Sequence, residues 1–132
     1  MAHSVCPFLM FQKKDAEEAM NFYVSLFPDG KVIELVHFAK GEQGPEGSVK
    51  TGVFSVAGQT IRVFDSPVKH AFTFTPASSL FVECESEAEI GRLAAALAEG
   101  GNVMMPLDNY GFSRQFTWIS DRYGVSWQLN LK

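Results

Sequence analysis

"SLFVECESEAEIGRLAAALAEGGNV", residues 79–103, has a counterpart earlier in the chain: "FLMFQKKDAEEAMNFYVSLFPDGKV", residues 8–32. Phe8 and Ser79, Asp15 and Ser86, Glu18 and Glu89, Gly30 and Gly101, and Val32 and Val103 each stand 71 positions apart, with no gap needed. Five correspondences at one offset point to a duplicated unit. In both copies an apolar run is followed by a capping residue with Glu three places on, Asp15 with Glu18 and Ser86 with Glu89, which reads as a capping box. Ala16, Ala19, Met20, Tyr23, Leu26 and Phe27 then recur at helical spacing, as do Ile90, Leu93, Ala94 and Leu97. Pro28-Asp29-Gly30 and Gly100-Gly101 supply the stops.

Extended segments follow each helix. In the first copy they are residues 31–38, 48–56 and 59–65; in the second, 102–106, 114–120 and 125–131. Each copy therefore reads β-α-β-β-β. Gly58 and Gly124 align at an offset of 66, which sets Arg62 against Gln128. The polar stretch at 40–47 is a loop, and "DSPVKHAFTFTP", residues 65–76, joins the copies. A lone copy has too little surface to bury for independent stability, so the two are expected to complete one domain.

Composition narrows the classes. The chain has 132 residues, 46% of them hydrophobic, with 15 acidic against 11 basic side chains and no basic block. That balance provides no electrostatic footprint for nucleic acid. Without a signal-like N-terminus or an apolar segment near the ~20 residues of a membrane span, a cytoplasmic protein with no membrane partner is expected. The two cysteines, Cys6 and Cys84, lie in apolar strand-like runs and read as buried free thiols. Gly41, Gly44 and Gly47 have no strand-to-helix context, so they form no dinucleotide loop.

The strings "EEAMNFYVSLFP" (17–28), "DSPVKHAFTFTPASSLFVEC" (65–84) and "PLDNYGFSRQFTWISDRYGVSWQLNL" (106–131) resemble the vicinal oxygen chelate superfamily, the glyoxalase/bleomycin-resistance/dioxygenase fold, and within it the PhnB-like group. That group carries the label "3-demethylubiquinone 3-methyltransferase-like". The resemblance covers nearly the whole chain. It implies one α+β domain over residues 1–132, with module one at 5–65, a linker at 66–78 and module two at 79–131. It also implies that the two βαβββ modules form a curved eight-stranded mixed sheet with a central cup, and that the protein is a homodimer.

Enzymes of the superfamily hold a divalent metal on the first and last strands of each module. Carried onto this chain, those places fall at Phe8, Arg62, Ser79 and Gln128. A divalent centre needs converging imidazole, carboxylate or thiolate donors. Phe offers none, Arg carries a repelling charge, and Ser and Gln are weak neutral oxygens. The expectation is no metal at the usual place and no cofactor. Only an even slip in register, bringing in a residue such as Cys6, would keep the face.

Alternation in the last strand separates Val125, Trp127, Leu129 and Leu131 from Ser126, Gln128 and Asn130. The apolar set reads as core. The same parity puts Phe8, Met10, Arg62, Phe64, Ser79, Phe81, Phe116, Trp118 and Gln128 on the other face, an aromatic surface with a few polar groups suited to a small organic ligand. Arg62 would anchor a carboxylate or phosphate, or else pair with Asp65 or Glu83. His70 in the linker and Tyr110 in the loop at 108–116 are further candidates, each with a plain structural alternative.

The label of a methyltransferase is at odds with the pattern. A cofactor-binding α/β methyltransferase needs a parallel sheet and a glycine-rich strand-to-helix turn. The reading is a metal-independent small-molecule-binding protein, with no catalytic residue assigned. Two alternatives stand beside it: a metal-dependent lyase, isomerase or dioxygenase of the same fold, and a structural or interaction module whose cup is filled.

Overall fold

The computed structural model describes residues 1–132. It has two compact units, residues 1–73 and 74–132, each a helix on a four-stranded sheet, giving an α+β fold of two βαβββ modules. The first holds β1 (Phe8–Phe11), α1 (Ala16–Ser25), β2 (Lys31–His37), β3 (Val49–Val56) and β4 (Gln59–Asp65). The second holds β5 (Ser79–Glu83), α2 (Glu87–Ala98), β6 (Asn102–Asp108), β7 (Gln115–Ser120) and β8 (Ser126–Leu131). The eight strands are hydrogen-bonded as two sheets, ordered β1-β4-β3-β2 and β5-β8-β7-β6. In each, the first strand runs parallel to the last and the remaining pairs are antiparallel.

In the first unit one face of the sheet packs under α1. Ala16, Ala19, Met20 and Tyr23 are buried on the helix, and Phe11, Phe54, Ile61 and Val63 are buried on the strands. The Tyr23 and Phe54 rings lie 6.0 Å apart. Gly52 of β3 faces Val63 and Val49 so closely that a Cβ would overlap the Val63 side chain. The second unit repeats the plan with Ile90, Leu93 and Leu97 of α2 above Ile119, Trp127, Leu129 and Leu131. Trp127 is core, as its parity requires.

The helices end differently, with a helical cap at Leu26 and an extended one at Glu99, but the stops beyond them share one contact. Gly30 N–H donates to the Phe27 carbonyl and Gly101 N–H to the Ala98 carbonyl, both at 3.0 Å, and these partners are again 71 positions apart. A Cβ at either glycine would collide with a backbone carbonyl, of Val24 in one case and of Ser120 in the other. Close approach is what Gly30 and Gly101 require, whereas Gly100 serves by its positive φ of 73°.

The beginnings differ. Ser86 caps α2 as the sequence suggests: its Oγ accepts from Glu89 N–H at 3.1 Å, while Glu89 Oε1 reaches back to the N–H of Glu85 at 2.8 Å. The matching box at Asp15 and Glu18 is not made, because Asp15 forms no side-chain cap hydrogen bond. Asp65, at the end of β4, does that work from across the unit. Its Oδ1 accepts from Ala16 N–H at 3.1 Å and its Oδ2 from Val49 N–H at 2.8 Å, within a site where Asp65 is 3% exposed. Desolvation by burial pushes the neighbouring Asp15 carboxyl upward, and the Asp65 charge adds to that.

Several boundaries shift, most of them by one residue. β1 begins at Phe8, which leaves Cys6 half-buried ahead of it, and Cys84 lies just past the end of β5. β6 continues through Pro106 to Asp108. It is an edge strand, where a residue without N–H is tolerated.

Candidate functional site

The face of each sheet turned away from its helix carries the sequence-derived candidates. In the first unit, Phe8 pairs with Arg62 and Met10 with Phe64 across β1 and β4, and Arg62 pairs with Val53 of β3. These side chains share one face by strand alternation. The Phe8 and Phe64 rings stand 6.0 Å apart, and Phe64 meets the buried Phe38 at 6.3 Å. Phe8 is 58% exposed, and Arg62 is exposed as well.

Arg62 has no ion-pair partner in its unit. Asp65, the partner that the sequence offered three places along, points to the other face and spends both oxygens on backbone amides. The ion pairs of this unit include His37 with Glu17 at 2.6 Å and Lys50 with Glu42. A fixed cation beside two aromatic rings and a thioether, held by no carboxylate, is a ready receptor for an anion.

In the second unit, the open face has three rows. Ser79 stands opposite Ser126, Phe81 opposite Gln128 and then Trp118, and Glu83 opposite Asn130 and then Phe116. Ser126 is 2% exposed, since Trp118 Nε1 donates to its Oγ at 2.9 Å and Ser79 Oγ lies 2.7 Å away. Asn130 donates from Nδ2 to Glu83 Oε2 at 3.1 Å. Phe81 is largely exposed, Gln128 is half-buried and Phe116 is buried against the loop that follows β6.

His70 and Tyr110 stand apart from these rows. His70 lies in the linker, where its N–H donates to Gln12 Oε1 at 2.6 Å and its ring stacks on Phe72 at 4.7 Å. Gln12 also donates from Nε2 to the Phe72 carbonyl at 2.8 Å, so this side chain fastens the linker to the end of β1. Tyr110 donates to the Pro106 carbonyl at 2.5 Å and meets Phe112 and Phe116. Neither the role of Gln12 nor the pairing that buries Ser126 and Asn130 has a local sequence signature.

The register alters the metal comparison. Phe8 faces Arg62 in the first unit, but in the second Ser79 faces Ser126, and Gln128 faces Phe81. The strands of the second unit are thus displaced by two residues relative to an alignment on Gly58 and Gly124, an even shift that keeps the face. Under either choice the donors are Ser, Gln, Phe or Arg. Within neither unit do three or more His, Cys, Asp or Glu side chains gather in a metal-holding group. The residues present do not fit a divalent ion.

The connections leading into the helices, Gln12 to Asp15 and Cys84 to Ser86, contain no glycine, and each sheet has a single parallel pair. A nucleotide-cradling turn is not built there.

A family model described as 3-demethylubiquinone-9 3-methyltransferase matches residues 3–130. Among solved structures, a PhnB protein from Bacillus cereus, described as a 3-demethylubiquinone-9 3-methyltransferase, is 46% identical with a TM-score of 0.95, covering 98% of this chain and 100% of its own. Protein PA1353 from Pseudomonas aeruginosa is 25% identical with a TM-score of 0.78, covering 99% of this chain and 98% of its own. The fold extends to the fosfomycin resistance protein FosX from Listeria monocytogenes, at 14% identity and a TM-score of 0.59, with 98% and 90% covered. No curated protein matches the chain.

Proposed function

From the premise that the chain belongs to the 3-demethylubiquinone-9 3-methyltransferase, or PhnB-like, family of the glyoxalase/bleomycin-resistance/dioxygenase fold, we infer a binding function rather than methyl transfer. The protein binds a small, partly apolar organic anion, without a metal, on the open face of the first module. Arg62 is the anchor for the carboxylate or phosphate, and Phe8, Met10 and Phe64 take the apolar part.

The observation that carries this reading is the unpaired guanidinium beside aromatic side chains. A cation left without a carboxylate contributes little to stability where it stands, whereas it offers a ligand a charge-assisted, two-pronged contact. The name of the family does not transfer, because the strand-to-helix turns lack the glycines that would admit a nucleotide cofactor. The metal-using branch of the fold does not transfer either, because the donor chemistry at the corresponding strands is wrong. We place the protein in the cytoplasm as a homodimer, a reading supported by the exposed Val32, Ile33 and Val36 of edge strand β2.

Binding of benzoate, followed by calorimetry or chemical-shift titration, tests the anchor. Arg62→Ala removes a hydrogen bond to a charged group, worth about 2 kcal/mol, and should weaken benzoate by about thirtyfold while the melting temperature stays within a few degrees. Unchanged affinity in a folded variant would remove Arg62 from the site.

A further inference from the structure

The second module carries a different chemistry on its open face, set by the polarity of one hydrogen-bond chain. Ser126 Oγ accepts from the Trp118 indole at 2.9 Å, and its only other partner is Ser79 Oγ at 2.7 Å. Two arrangements of the hydroxyl hydrogens are open. If Ser79 donated to Ser126, the Ser126 hydrogen would be left without an acceptor in a residue 2% exposed, a costly state. If Ser126 donates to Ser79, every buried group is satisfied. The indole hydrogen then goes to Ser126 and the Ser126 hydrogen to Ser79. The Ser79 hydrogen remains free, on a residue that is only half-buried.

Beside this donor lies Gln128, in the next row between Phe81 and Trp118, and its half-buried side-chain amide is engaged by no other side chain of the unit. Two free amide or hydroxyl donors and two aromatic side chains therefore adjoin. The strands themselves carry no cation: β5, β6, β7 and β8 contain no Lys or Arg, the exposed Arg114 lying just ahead of β7, while Glu83 is on the same face as Phe81. Among the rows of Ser79, Phe81 and Glu83 an anion finds no cationic anchor.

We propose that this face recognises a neutral planar compound through a carbonyl oxygen, which accepts from Ser79 Oγ–H and the Gln128 amide while the ring lies on Phe81 and Trp118. This rests on the reading that the open sheet faces bind small molecules, and it adds a ligand chemistry that Arg62 does not serve.

Acetophenone is the probe, with toluene as the same ring without an acceptor and benzoate as the anion. Titrations of the intact protein are followed by the indole N–H resonances, where Trp118 is the reporter and buried Trp127 the internal control. Acetophenone is expected to shift the Trp118 signal saturably, and toluene to do so at least fivefold more weakly. Ser79→Ala should weaken acetophenone by about fivefold, the size of one neutral hydrogen bond, and Gln128→Leu by a similar factor, with Arg62→Ala without effect. Two variants on separate strands guard against one that fails to fold. Equal binding of toluene, or undiminished acetophenone affinity in both folded variants, would overturn the directed donor. If benzoate binds through Arg62 while acetophenone leaves Trp118 unmoved, this inference alone fails. If neither probe perturbs the protein, the binding reading fails with it.

Discussion

Arg62 and Asp65 lie three positions apart on β4 and face opposite ways, one exposed and unpaired, the other buried and fully engaged. Strand alternation separates them, so Asp65 is not the ion-pair partner of Arg62. The cysteines show the same dependence on placement. Cys84 is 8% exposed, and burial first, then the Glu89 and Glu83 charges, push its thiol up to about 11. At pH 8 almost none of it is the reactive thiolate. Native protein treated with iodoacetamide at that pH should carry label on Cys6 only, and both thiols should react once the chain is unfolded in guanidinium; mass spectrometry of the peptides reads the outcome. Rapid native labelling of Cys84 would show that its end of β5 opens. Which residues share a face was legible in the sequence, since parity placed Phe8 with Arg62 and Phe81 with Gln128. That Ser126 is buried was not, because the Trp118 indole covering it comes from another strand.

At the scale of elements, the helix starts show what a local motif can and cannot specify. Ser86 and Glu89 form their box within five residues, and the sequence reads it correctly. Asp15 and Glu18 have the same spacing, yet the first amide of α1 goes to Asp65, 49 positions away. Spacing cannot disclose a contact made by the fold. Asp65 ties α1 to β3 and β4 at once, so Asp65→Ala should leave two buried N–H groups without an acceptor. We expect a loss of about 3 kcal/mol in urea unfolding, against about 1 kcal/mol for Ser86→Ala, whose helix end is exposed. Comparable losses for the two variants would show that Asp65 is no more than a helix cap. Register was hidden for a related reason. Ala57 and Gly58, both at positive φ, turn β3 into β4 in two residues, whereas residues 121–125 separate β7 from β8, closed by Asp121. The glycines match between the units and the turn lengths do not, which moves β8 by two residues against β5.

For the whole molecule, duplication explains why one sequence pattern predicts two units of equal plan, and it also explains where they part. Each copy kept the face and the parallel pairing of first and last strands, while the side chains on the open faces diverged into a set around Arg62 and a set of uncharged hydrogen-bonding groups beside Glu83. Phe8, Arg62, Ser79 and Gln128 supply no imidazole, carboxylate or thiolate for a divalent ion. The consequence is measurable on the intact protein. An ion present at 100 times its dissociation constant would stabilise the fold by about 2.7 kcal/mol, which for a chain of this size is roughly a 10 °C rise in melting temperature. Thermal melts in EDTA and in zinc, manganese, nickel or iron(II) are therefore expected to agree within about 2 °C, a small fraction of that linkage shift, and elemental analysis of purified protein to show no stoichiometric metal. Agreement under EDTA alone is not sufficient, since a slowly released ion would survive a short incubation, so the chelated protein is to be melted after dialysis. A large fall in stability on dialysis, restored by one ion and no other, would mean that the ligands come from residues outside these four positions and that the metal-free reading of the fold is wrong.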